Sequence, residues 1–178
     1  MTCSHVLVMG VAGSGKSTVG AALARELGSE FLEGDAFHPA ANVEKMAAGI
    51  PLTDADREPW LARLADLLAD RHAHAESTVL ACSALRRAYR DRLRAAVPGD
   101  ESFAILLVAE ARTLEHRLEA RRGHYMPASL LESQLATLEP LESDEAGATI
   151  DATGSPPDIV AAALAAVRVR HGTLPPGR

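Results

Sequence analysis

Aromatic side chains are scarce in this 178-residue chain, which carries one tryptophan, two tyrosines and three phenylalanines. Too few rings are present to sandwich a second nucleobase. Cysteine is scarcer still: Cys3 and Cys82 make no disulfide framework and lack metal-site spacing, the usage expected of a small buried or incidental residue in a reducing cytosol. No apolar run approaches membrane-spanning length, and the N-terminus passes straight into an apolar segment with no room for a signal peptide, so a cytoplasmic location is expected. The formal net charge of −6 excludes a general nucleic-acid binder and a membrane-surface protein. Any polyanion must therefore meet positive charge concentrated locally, in short arginine clusters. Internal repeats and low-complexity linkers are also missing. The length suits one domain over residues 1–172, with 173–178 expected to form a disordered tail.

What is present begins at Gly10-Val11-Ala12-Gly13-Ser14-Gly15-Lys16-Ser17, followed by Thr18. This is G-x-x-x-x-G-K-[ST], the phosphate-binding loop. The apolar run Val6–Met9 before it has the length of a buried strand. Val19, Ala22, Leu23 and Leu27 after it fall at helical spacing. Glycines let backbone N–H groups converge on an anion, and the helix N-terminus adds its partial positive charge there. Lys16 then reaches the outer phosphates, and the Ser17 hydroxyl ligates Mg²⁺.

Further strands are expected at 30–33, 78–82, 103–108 and about 148–151, each followed by a helical pattern. Met46 and Val43 give the helix after Pro39 an apolar side, ended by Gly49 and Pro51. Thr53 to Asp56 reads as a capping pattern opening a helix whose buried stripe is Trp60, Leu61, Leu64, Leu67 and Leu68. A basic helix then carries Arg86, Arg87, Arg90, Arg92 and Arg94, most of them expected on a solvated face. Ala111, Leu114 and Leu118 face inward on the next helix. Gly123 to Pro127 interrupts it before a second helix with Leu130, Leu131, Gln134, Leu135 and Leu138. This pair, about 117–137, with Arg117, Arg121 and Arg122 near its tip, has the pattern of a mobile lid. Alternating strands and helices predict an α/β fold with a central parallel sheet and helices on both faces. Sites in such sheets lie beyond the strands' carboxyl ends, which brings the phosphate loop, Asp35 and Arg86 to one crevice.

The chain has no Asn-Lys-x-Asp for reading guanine, and its third strand ends Cys82-Ser83 without the carboxylate that a hydrolysing motor needs. Both absences disfavour a switch or a motor. Asp35, past the second strand, is placed to take the proton of an attacking substrate hydroxyl, and a positioned base supplies roughly 10²–10⁴-fold. Arg121 or Arg122 would stabilise the transferring group while closure excludes water. Arg57 is the candidate grip for an anionic substrate, since a guanidinium meets a carboxylate with two parallel hydrogen bonds. His38 is a candidate for polyol hydroxyls, or else caps the following helix; His124 is a weaker candidate. A nucleotide-binding regulator without turnover would need neither Asp35 nor the arginine lid.

These residues together resemble the gluconokinases, small P-loop carbohydrate kinases related to shikimate kinase. The resemblance runs from the first strand to the last helix. Beyond the phosphate loop it rests on Gly34 to Pro39, Asn42 to Met46, Pro51 to Trp60, Cys82 to Arg86, Tyr89 to Asp91, Arg117 to Met126 and Ser133 to Glu139. It implies a three-layer P-loop kinase fold and ATP- and Mg²⁺-dependent phosphorylation of the 6-hydroxyl of D-gluconate. Carried over, Gly10, Ala12, Gly13, Ser14, Gly15, Lys16, Ser17 and Thr18 would hold nucleotide, with Arg121 on the phosphates and Arg117, Thr153 and Pro156 flanking adenine. Asp35, His38, Arg57, Arg86, His124 and Gln134 would meet the sugar acid. Lys16, Asp35 and Arg121 would be catalytic, and Ser17 and, through water, Glu33 would serve the metal. A homodimer is also implied. Relatives commonly carry Asp-Gly-Asp where this chain has Glu33-Gly34-Asp35, which implies retuned metal affinity rather than lost activity. Shikimate kinases generally show a glycine triplet where this chain has Cys82-Ser83-Ala84.

Overall fold

The computed structural model describes residues 4–97, 99, 101–120 and 128–170. Five strands, β1 (His5–Met9), β2 (Glu30–Glu33), β3 (Thr78–Ala81), β4 (Ser102–Val108) and β5 (Gly147–Asp151), form one sheet in the order β2-β3-β1-β4-β5. All pairs are parallel, with Val6 beside Val79 on one side and Phe103 on the other. Parallel strands covered on both faces should be apolar throughout, and Phe103 to Leu107 are all buried.

Alternation along the strands divides the core. Val6, Val8, Val79, Phe103, Ile105 and Leu107 face α1 (Lys16–Leu27) and α7 (Pro156–Arg170), packing on Val19, Leu23, Ile159, Ala163 and Val167. Met9, Leu80, Ala104 and Leu106 face α3 (Asp54–Ala73) and α4 (Arg87–Ala95), packing on Trp60, Leu61, Leu64, Leu68, Tyr89 and Leu93. A third cluster, Val11, Leu85, Leu114 and Leu131, ties α5 (Ala111–Ala120) and α6 (Ala128–Thr137) to the phosphate-loop end of the sheet. No helix among the described residues is long and apolar enough to cross a membrane.

The expected strands appear within a residue or two of their positions, and α3 opens with the capping box: Asp56 N–H donates to Thr53 Oγ1, and Thr53 N–H donates to Asp56. Three local expectations are corrected. On α2 (Ala40–Ala47) Val43 is exposed, and the inward position belongs to Asn42, whose amide is spent on specific partners in the site. Ala111 is exposed, leaving Leu114 as the buried residue of α5. Arg90 does not join a solvated face but is buried: its guanidinium donates from Nε and Nη2 to the two oxygens of buried Glu145, each at 2.7 Å. Arg90 also donates to the carbonyls of Glu139 and Pro140, so the segment between α6 and β5 is riveted to α4. A buried carboxylate is ordinarily costly. Burial raises the Glu145 value, but hydrogen bonds from Arg90 and the Glu142 N–H, with the nearby positive charges, overcome it and hold the carboxyl at about 2.

Candidate functional site

The phosphate loop fills the gap between the end of β1 and the first turn of α1. Gly10 has φ +140°, and a Cβ there would lie 2.6 Å from the Leu107 carbonyl oxygen. Only glycine lets the chain leave β1 so close to β4. Gly15 caps α1 at φ +96°, and the first turn of α1 carries no acidic residue, so its N–H groups face outward unneutralised. The Lys16 ammonium folds back onto the Val11 carbonyl at 3.1 Å. From α6, Gln134 Oε1 accepts the Ala12 N–H at 2.7 Å, joining that helix to the loop.

Opposite the loop, the chain leaves β2 in a 3₁₀ turn, Gly34–Phe37. A Cβ on Gly34 would lie 2.5 Å from the Ala81 carbonyl oxygen, so glycine is required where the turn crosses β3. The turn presents Asp35 with its side chain 64% exposed. Behind it the His38 side chain is 4% exposed, stacked on Trp60 at 4.1 Å between ring centroids. Trp60 Nε1–H donates to the Gly34 carbonyl at 2.8 Å, fixing the turn from below. Asn42 Nδ2 donates to the Asp56 carbonyl, an acceptor only, and lies 3.4 Å from His38 Nδ1. With the amide nitrogen so identified, Nδ1 is the acceptor and the imidazole proton sits on Nε2, which faces Asp35 at 4.0 Å. Burial holds the His38 value below the ordinary one; Asp35 opposes this and Arg57 reinforces it.

Arg57, one turn into α3, donates to the Leu52 carbonyl at 2.5 Å and lies over the Tyr89 ring. Loop, turn and arginine line a single cleft of about 600 Å³. Ala12, Gly13, Gly15, Lys16 and Ser17 form one wall, and Glu33, Asp35, His38 and Arg57 the other; Leu118 comes from α5 and Gln134 from α6. Cys82 lies buried beside Gly34. Burial above all, with Asp35 adding to it, pushes that thiol up to about 12, so it is a neutral packing group.

The other expected site residues lie elsewhere. Gly10 and Ser14 are buried behind the loop, and the Ser14 hydroxyl has no hydrogen-bond partner. Thr18 is exposed on α1. Arg86, next to the cleft-lining Leu85, is not itself part of the lining and donates to Asp54 at 2.7 Å. Arg117 reaches the Ala152 carbonyl at 2.7 Å, which joins α5 to the segment carrying Thr153 and Pro156, a group separate from the cleft lining. Arg121 and His124, with Arg122, lie outside the described residues, as do Cys3 and the tail. Sequence reasoning missed Asn42 and Asp54. An asparagine four residues after a candidate histidine, on a helix face expected to be apolar, was the available signal for the first.

Among the described residues no group of three His, Cys, Asp or Glu could hold a metal ion. Beside the phosphate loop the cleft offers the Ser17 hydroxyl and, across from it, the carboxylates of Glu33 and Asp35. This sparse set of hard oxygens fits Mg²⁺, which takes few protein ligands and completes its shell with water and substrate phosphates.

A parallel sheet with this loop at its centre and an acid–arginine wall facing it is the arrangement of the P-loop kinases. A family model described as an AAA domain matches residues 6–141. The gluconokinase of Gluconobacter oxydans is 53% identical over 142 residues, covering 79% of this chain and 78% of its own. A crystal structure of a Sinorhizobium meliloti gluconokinase superposes with a TM-score of 0.86 at 44% identity, over 96% of this chain and 95% of that one. An unliganded sugar kinase from Janibacter gives 0.89 at 45% identity, over 98% and 99%. The chain belongs to the gluconokinase family and is an ATP-dependent kinase.

Proposed function

We propose that the protein transfers the γ-phosphoryl group of ATP to the 6-hydroxyl of D-gluconate, giving 6-phosphogluconate and ADP. The observation that carries this reading is the shared cleft: a phosphate cradle on one wall, and a carboxylate with a guanidinium on the other. The loop N–H groups and Lys16 hold the β- and γ-phosphates, and Arg57, with Arg86 from the rim, receives the carboxylate of the sugar acid. Asp35 accepts the proton of the attacking hydroxyl as its oxygen bonds to phosphorus and the bond to ADP breaks. Ser17 and, through water, Glu33 would hold Mg²⁺, which would neutralise charge on the phosphate oxygens. The lid helices bring Gln134 and Leu118 over the cleft, and Arg121 belongs to the same segment; closing it keeps water from the phosphate. Arg117, Thr153 and Pro156 form the adenine side, and His38 supports Asp35. The same reading includes a cytoplasmic homodimer, whose oligomeric state light scattering tests.

Following ADP release from Mg-ATP with a panel of polyol acids and the matching neutral polyols tests the reading. Turnover with gluconate far above the neutral polyols is expected. Equal turnover of both, or nucleotide binding without turnover, overturns it.

A further inference from the structure

Asp54, the first residue of α3, sits outside the cleft lining, yet it touches both arginines assigned to the sugar acid. Arg86 Nη1 donates to its Oδ2 at 2.7 Å, and Arg57 Nη1 lies 4.0 Å from its Oδ1. The Tyr89 hydroxyl donates to Oδ1, so each carboxylate oxygen has a partner. The place of this carboxylate is set by the capping box, because Thr53 and Asp56 fix where α3 begins. Lys45, at 2.7 Å from Asp56, ties the same turn to α2.

Two guanidiniums at one rim repel each other, and each is a long, flexible side chain that costs entropy to hold. A fixed carboxylate between them removes both costs. Among the described residues Arg86 commits one of its five N–H groups to Asp54, and Arg57 commits one to Leu52. The remaining donors can meet a ligand. Two cations and one anion leave a single positive charge, the complement of one carboxylate.

We propose that Asp54, braced by Tyr89, is a positioning residue that presents Arg57 and Arg86 to the carboxylate of the substrate and thereby sets the preference for a monoanionic sugar acid. This rests on the reading that these arginines receive that carboxylate.

Steady-state kinetics of D54N, R86Q, the double variant and D54E test it. D54N keeps the shape but removes the charge and one of the two acceptor oxygens, so the side chain can no longer accept from both Arg86 and Tyr89. Its KM for gluconate should rise about tenfold, while kcat and the KM for ATP stay within twofold. D54E should recover most of the loss. Because Asp54 acts through the two arginines, with Arg86 its direct hydrogen-bond partner and Arg57 at 4.0 Å, the KM rise of D54N with R86Q should fall well short of the product of the two single effects. A structural defect would instead move both substrates together and would multiply with R86Q. An unchanged or lowered gluconate KM in D54N, or fully multiplicative effects, overturns the proposal. Wild-type protein that turns over no gluconate overturns the carboxylate reading itself, a result separate from any behaviour of D54N.

Discussion

His38 lies parallel to Trp60, with 14° between the ring planes and 4.1 Å between their centroids. The pair forms the floor under Asp35. Its indole N–H holds the Gly34 carbonyl, and its imidazole Nε2 faces the Asp35 carboxylate. The candidate base thus stands on a rigid, buried support although it is itself exposed.

Trp60→Phe keeps much of the buried area but leaves the Gly34 carbonyl without its donor. An unsatisfied buried polar group costs about 1–3 kcal/mol. A fall of that size in urea unfolding free energy is expected, together with a drop in kcat larger than any change in the KM for ATP, because Asp35 shifts while the phosphate loop does not.

A protonated His38 would place an N–H at Nδ1 against the Asn42 amide donor. The folded value is below 6.5, so the neutral ring stabilises the fold fully above that pH, and this contribution is lost as pH falls through the folded value. Urea midpoints between pH 7.5 and 5 should fall for the wild type, by no more than about 1.4 kcal/mol per pH unit from this group. His38→Gln should show a shallower dependence. An identical slope in both proteins contradicts the assignment.

Glu145 behaves in the opposite sense to a silent surface acid. Its carboxyl is held at about 2, against an ordinary 4.5, so its contribution is present above the ordinary value and is lost as pH falls toward 2. Glu145→Gln leaves Arg90 charged and buried, and should cost about 3 kcal/mol at neutral pH. The difference from wild type should shrink in acid. Denaturant unfolding at pH 7 and pH 3 measures both.

Gln134 separates two roles. Its amide oxygen accepts from Ala12, in the phosphate loop. Gln134→Glu puts a negative charge beside the triphosphate cradle, and the KM for ATP should rise more than fivefold, exceeding the change for gluconate. The reverse order would place the side chain in the sugar-acid pocket.

Much of this architecture was legible in the chain. Phe103 to Leu107 could only be a strand buried on both faces, and Thr53 with Asp56 announced the start of α3. The loop at Gly10 to Ser17 located one wall of the cleft, and Asp35 after β2 the other. What escaped are partners set by long-range packing. Nothing local to Arg90 distinguishes it from Arg92, because its partner Glu145 lies 55 residues away. Asn42 takes the inward position expected of Val43, since the hydrogen bond of the buried asparagine to Asp56 outweighs apolar periodicity on a short helix. Arg86 was expected in the crevice and rests on Asp54, a pairing across 32 residues that spacing does not encode.

In the proposed transfer Asp35 receives the proton of the substrate hydroxyl across the cleft from Lys16. Its most direct test is Asp35→Asn, assayed for kcat with gluconate and for ATP affinity by calorimetry on the same preparation. A kcat lower by about 10²–10⁴-fold, with ATP affinity within twofold of wild type, is expected. A kcat within a few-fold of wild type, at unchanged ATP affinity, would contradict it.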